Sequence, residues 1–159
     1  MFKRKPLYVG AAGQAAVMSE LLMLGYNVAV PEVDVGDDLF VVNDNNGNYR
    51  RVQVKTAIAQ ASRSSYAAQF SIPLRQIERP YTPELCFVFA VRHADRWSDF
   101  IIIEREELFE EHRTHGVGNL FGRGGELMVK LYLSFRGSDV ICSGRSFQKM
   151  RNQFAMFQV

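Results

Sequence analysis

The stretch whose reading decides the fold is residues 25–56, GYNVAVPEVDVGDDLFVVNDNNGNYRRVQVKT. Asn45-Asn46-Gly47 is a turn signal, because Asn and Gly accept positive φ at little steric cost. The turn lies between two runs rich in Val, Phe and Tyr, residues 38–43 and 49–57, and the combination predicts a β-hairpin. Successive side chains on a strand point to opposite faces. Val52 and Val54 therefore share one face, and Arg51, Gln53 and Lys55 the other. Folding about Asn45-Asn46 brings Asp38 opposite residues 53–55. A carboxylate, an amide and an ammonium then meet at one end of the sheet.

Upstream, residues 10–24 read as a helix: Val9, Ala12, Ala16, Leu21 and Leu24 keep a helical period, and Gly25 is a natural C-cap. Its alanines permit close packing on a sheet. Residues 26–30 form a strand stopped by Pro31, and residues 32–36 are the loop leading into the hairpin.

Asp38 followed by Gln53-Val54-Lys55 on the next strand resembles the core of the PD-(D/E)xK nuclease superfamily, which includes archaeal Holliday junction resolvases and many restriction enzymes. Gly10 to Gln14, the helical run and Gly25-Tyr26-Asn27-Val28 are similar to that family's opening helix and first strand, so the resemblance spans roughly the first third of the chain. It implies an α/β fold with a restriction endonuclease-like core, a mixed β-sheet flanked by helices, over residues 1–159 as a single domain. It also implies Mg²⁺- or Mn²⁺-dependent hydrolysis of DNA phosphodiester bonds. By the resemblance, Asp38 and Gln53 are metal ligands, Val54 lends its carbonyl oxygen, and Lys55 is the catalytic lysine. Gln14 stands where the family's opening helix usually carries an acid, and Gln53 where the third motif usually carries Glu. Asp38 is then the only formal negative charge on the metal, and one carboxylate holds Mg²⁺ weakly until DNA phosphates complete the shell. Glu32, Asp34 and Asp37 are the acids that the preceding loop brings near; Glu20, further along the helix, faces another way from Gln14.

The composition is that of a soluble globular protein: 47% hydrophobic and 23% charged residues over 159, long enough for a core. A net charge of +2 does not by itself argue for nucleic acid. Local basic groups do so weakly: Lys3-Arg4-Lys5, Arg50-Arg51 with Lys55 and Arg63, and Arg145 to Arg151. Arg51, Arg63 and Arg123 are the candidate DNA contacts. Cys86 and Cys142 lie in apolar runs without metal-ligand spacing and read as buried thiols in a reducing, cytoplasmic setting. The Ala-rich run after Lys5 is interrupted by Gln14, Ser19 and Glu20 and is too short to span a membrane. Nothing completes a zinc site around His93, His112 and His115.

Downstream, residues 60–65 read as a small-residue loop, 66–72 as a strand and 73–78 as one helical turn. Residues 85–91 and 100–103 are continuous apolar runs typical of buried strands, joined by a polar loop over 92–98. Residues 104–115 form a charged surface helix, 116–125 a glycine-rich loop, and 127–135 and 140–142 two strands. A closing helix over 146–157 carries Phe147, Met150, Phe154 and Phe157 at helical spacing.

The small size implies a homodimer or a partner protein that confers specificity. Two other readings stand beside the nuclease. One is a catalytically inactive member of the same fold that binds nucleic acid or protein. The other is a dinucleotide-binding domain, in which Gly10, Gly13 and Ala16 cradle a pyrophosphate and Glu32 or Asp34 holds a ribose.

Overall fold

The computed structural model describes residues 5–158, so Lys3 and Arg4 of the first basic group lie outside the described residues. The first helix, α1 (Pro6–Met23), starts at Pro6, whose fixed φ suits a first helical position, and stops at Leu24 before Gly25 at φ +89°. It is longer than its apolar spacing predicts; of the expected stripe Leu21 is buried and Ala16 packs on the core, whereas Ala12 and Leu24 are exposed and Gly13 and Val17 are buried in their place. Gly13 sets that face, because a Cβ there would come within 2.7 Å of Thr56 Cγ2. Among the described residues no strand precedes α1. Gly10 and Gly13 therefore lie inside a helix, which corrects the reading of them as a pyrophosphate-binding turn.

The hairpin forms in the predicted register. β1 (Asn27–Ala29) pairs with β2 (Leu39–Val42), and β2 pairs with β3 (Tyr49–Ile58), with Leu39 opposite Val52 and Val42 opposite Tyr49. The chain continues through β4 (Gln60–Ser62), β5 (Ser65–Pro73) and the short α2 (Leu74–Glu78). Then come β6 (Leu85–His93), β7 (Arg96–Glu104) and α3 (Arg105–His115). Last are β8 (Asn119–Arg123), β9 (Glu126–Arg136), β10 (Asp139–Cys142) and β11 (Arg145–Ser146).

Two sheets result where the sequence suggested one. The first is mixed, in the order β1-β2-β3-β6-β7, with β3 and β6 parallel and the other neighbours antiparallel. The second is antiparallel, in the order β11-β10-β9-β5-β4, with β8 also pairing with β9. The first sheet lies between α1 and the second sheet. Its β6 is consequently buried on both faces: Cys86, Val88 and Ala90 face the core shared with α1, while Leu85, Phe87, Phe89 and Val91 face the core shared with the second sheet. That is why residues 85–91 are apolar without alternation.

Three segments expected to be loops are paired. Residues 60–62 form β4, with Arg63 at φ +38° in the turn. Residues 92–98 close a hairpin through Ala94 and Asp95, both at positive φ and neither a glycine, so the usual turn signal was missing. In the glycine-rich stretch, Gly116 caps α3, Gly124-Gly125 make the turn, and the residues between build β8. The closing helix is replaced by two short 3-10 turns, Gln148–Met150 and Phe154–Gln158. Between them Arg151 bridges to Ile101, and Asn152 exchanges hydrogen bonds with the Phe100 backbone at 2.7 and 2.8 Å. The segment thus rounds the edge of the first sheet. Phe147 and Met150 enter one core, Phe154 and Phe157 the other.

Candidate active site

β2 begins at Leu39, and Asp38 just before it keeps one last ladder bond, its N–H donating to the Val52 carbonyl at 2.8 Å. Before that residue the chain peels away while β3 runs on. The Val54 N–H, left without a strand partner, donates instead to Asp38 Oδ2 at 2.7 Å. The same oxygen accepts a short hydrogen bond from Gln53 Nε2. Among the described residues no donor meets Oδ1. The Val54 carbonyl, on the same open edge, receives only a marginal 3.5 Å contact from Gln53 Nε2.

The opening is a cavity of about 540 Å³ lined by Asp34, Gly36, Gln53, Lys55, Arg75 and Arg79 among others. Asp38, hydrogen-bonded to Gln53 on the cavity wall, attracts Lys55 electrostatically, and Asp34 acts on both. Burial pushes the Asp38 carboxyl above the usual carboxylate range. The Val54 N–H and the Lys55 ammonium pull it back, while Asp34 and Asp37 add to the rise. Burial likewise draws the Lys55 ammonium below its ordinary value, against the attraction of Asp38 and Asp34.

Gln53 is itself buried, and its Oε1 accepts from Gln76 Nε2 at 2.9 Å. Gln76 Nε2 also reaches the Gly36 carbonyl at 3.0 Å, while Gln76 Oε1 is buried without a partner. Gln14 enters from α1 and donates through Nε2 to the Asp38 carbonyl at 3.2 Å, so it steadies the Asp38 backbone.

Of the neighbouring acids, Asp34 faces the cavity and its Oδ1 caps the Gly36 N–H at 2.9 Å. Asp37 turns inward to pair with Arg51 at 2.8 Å, leaving its other oxygen and Arg51 Nε buried and unpartnered. Arg51 is thus spent on Asp37. Arg123 stands at the end of β8 opposite Glu126, whose carboxylate pairs with Arg75 on the cavity wall at 2.6 Å. Arg63 lies at the far end of β5 from Pro73, roughly 25 Å along the strand from the cavity. The cationic residues at the site that the sequence reading missed are Arg75 and Arg79. Arg75 lies on α2 and Arg79 just past its end, in extended backbone; two arginines at one predicted helical turn were the available signal. Gln76 had none.

Among the described residues no group of three or more His, Cys, Asp or Glu side chains gathers to hold a metal. The donors offered are hard oxygens, Asp38 Oδ1 and the Val54 carbonyl, with Asp34 across the cavity, and these suit a Mg²⁺-type ion. Gln53 does not yet fit that set, since its NH₂ end faces Asp38.

No protein-family model and no curated protein sequence matches the chain. Its fold is similar to that of a solved bacterial homing endonuclease, I-Ssp6803I, with a TM-score of 0.60 at 16% sequence identity, over 97% of this chain and 91% of that one. The likeness establishes a shared α/β fold of two sheets flanked by helices. No helix among the described residues is long and apolar enough to cross a membrane.

Proposed function

We propose that this protein is a divalent-metal-dependent DNA endonuclease with a PD-(D/E)xK-type site. The observation that carries the reading is the junction of Asp38, Gln53, Val54 and Lys55 where β2 leaves β3, beside a cavity that Gln53 and Lys55 line together with Arg75 and Arg79. The fold shared with a homing endonuclease supports it and makes DNA the substrate to try first.

Asp38 Oδ1 and the Val54 carbonyl would hold the Mg²⁺ or Mn²⁺, and Gln53 would contribute Oε1 only with its amide turned. A bound cation supplies charge for the scissile phosphate and acidifies a water. The Val54 N–H keeps the Asp38 carboxylate aimed at the open edge, and Gln14 holds the Asp38 backbone. Lys55 projects into the same cavity, where its ammonium neutralises charge that develops on the phosphate. Arg75 and Arg79 sit where flanking phosphates would lie.

The test is nicking of supercoiled plasmid with Mg²⁺ or Mn²⁺. Asp38→Ala and Lys55→Ala should each lower the rate about a hundredfold or more while circular dichroism stays unchanged. A wild type inert across metals and DNA forms, or variants that cut as well as it does, would overturn the reading. A second reading, a DNA-binding module without catalysis, is favoured by the Gln53 amide facing Asp38 with its NH₂ end. Salt-sensitive DNA affinity without cleavage would select it.

A further inference from the structure

α1 is apolar nearly all round. Within Pro6–Met23 the one charged side chain is Glu20, yet the helix buries only Gly13, Val17 and Leu21. The outer side carries Tyr8, Ala11, Ala15 and Leu22, with Met18 at its margin, half-buried against the core; the five are spaced 3, 4, 3 and 4 residues apart, the repeat of a helix–helix seam. Tyr8 and Leu22 are 64% and 53% exposed, and Leu7 and Met23 beside them 77% and 84%. A helix without a polar face is one that another surface covers.

We propose that this face joins two copies of the chain. In the pair, α1 packs antiparallel on α1 of the second copy, setting Ala11 against its Leu22 and Ala15 against its Met18. Several observations name a second copy as the occupant. Each small residue of the seam meets a large one in that register, as a twofold contact requires. α1 has no acid in its first turn and no base in its last, so its own side chains compensate neither end of its dipole. An antiparallel copy brings each positive end to a negative one. Glu20 lies off the seam, so no like charges meet across it. Leu7, Tyr8, Leu22 and Met23, each half exposed or more, present on the order of 500 Å² toward the ~800 Å² per partner of a standard interface. An apolar groove of about 380 Å³ between Tyr8, Ala12, Ile58 and Trp97 continues the same surface.

The interface stands independently of the nuclease reading, and oligomeric state tests it. Sedimentation equilibrium of the full chain at micromolar concentration should give the mass of a dimer. Ala15→Glu should raise the dimer dissociation constant about a hundredfold or more, because it buries a charge at the seam. The thermal midpoint of its monomer should not move, since Ala15 is exposed there. A wild type that sediments as a monomer would overturn the proposal. So would a dimer that survives both Ala15→Glu and Leu22→Glu.

Discussion

Gln76 donates to Gln53 Oε1 at 2.9 Å, and that bond turns the Gln53 amide so that its NH₂ end meets Asp38. A carboxylate favours a donor, and Gln76 locks that choice. A turned Gln53 would offer Nε2 toward Gln76, whose buried Oε1 lacks a partner. Substituting Gln53 by Glu removes the donor and sets a second carboxylate against Asp38. Without metal, Gln53→Glu should lower the thermal midpoint through like-charge repulsion in a buried site. With Mn²⁺ it should bind about tenfold tighter than wild type, the gain of an added charged ligand. Calorimetric titration with Mn²⁺ alone measures the second effect and differential scanning the first. Unchanged metal affinity would remove Gln53 from the ligand set.

Asp38 and Lys55 are both shifted first by burial, toward their neutral forms. A raised carboxyl keeps its proton longer in the folded state, so its contribution to stability is full at low pH and is lost as pH rises through the folded value. A lowered ammonium contributes stability at high pH that is lost as pH falls through its folded value. Both penalties therefore coexist around neutrality. Asp38→Asn combined with Lys55→Gln removes them together, leaving neither charge uncompensated. Unfolding at pH 7 should show a gain of about 1 kcal/mol. That gain should shrink below about pH 4, where carboxyls are protonated, and above about pH 10, where lysine loses its proton. A double variant less stable than wild type at pH 7 would mean that the pair's attraction outweighs its desolvation.

The hairpin half of the candidate site was legible because it is local. The turn at Asn45 to Gly47 fixes the register, and the register brings Asp38 to Val54. Gln76, Arg75 and Arg79 were not, since α2 reaches the site only by packing, from another stretch of chain. The second sheet was hidden for a similar reason. β8 lies in a run of glycines whose positive φ values serve its ends, and its strand character comes from pairing with β9. The closing segment shows the converse error. Phe147, Met150, Phe154 and Phe157 keep a helical period, but their periodicity serves two cores on either side of a sheet edge.

α2 is only five residues long and needs external support to carry Gln76. Arg105, 6% exposed at the start of α3, supplies it. Its Nε and Nη2 both bond Glu84 at 2.7 Å, and Nη1 reaches the Ile77 carbonyl at 2.9 Å. Arg105→Met leaves Glu84 unpaired and that carbonyl without its donor. It should cost about 3 kcal/mol of unfolding free energy by urea titration. Arg113→Met, on the exposed end of the same helix, should cost under about 0.5 kcal/mol. Equal losses for the two would deny Arg105 its bracing role.

The contact of Gly13 with Thr56 ties α1 to β3 one residue beyond Lys55. In an exposed helix Gly→Ala stabilises by about 1 kcal/mol. Here the added Cβ would lie 2.7 Å from Thr56 Cγ2 and 2.8 Å from its Cβ, so α1 must lift from the sheet. Gly13→Ala should therefore lower stability by about 1–3 kcal/mol, the ordinary cost of overpacking. Because Gln14 follows directly and holds the Asp38 carbonyl, the same shift should weaken Mn²⁺ binding as well. Thr56 Oγ1 is buried and makes no hydrogen bond, so trimming that side chain sacrifices little polar contact. Thr56→Ala removes the Oγ1 and Cγ2 atoms nearest the new methyl but keeps the Cβ 2.8 Å away, so adding it to Gly13→Ala should recover part of the lost stability. A coupling free energy of at least about 1 kcal/mol between the two substitutions, from urea titrations of the four proteins, is the expected result. Additive effects would show that Gly13 is tolerated by the helix for some reason other than its approach to β3.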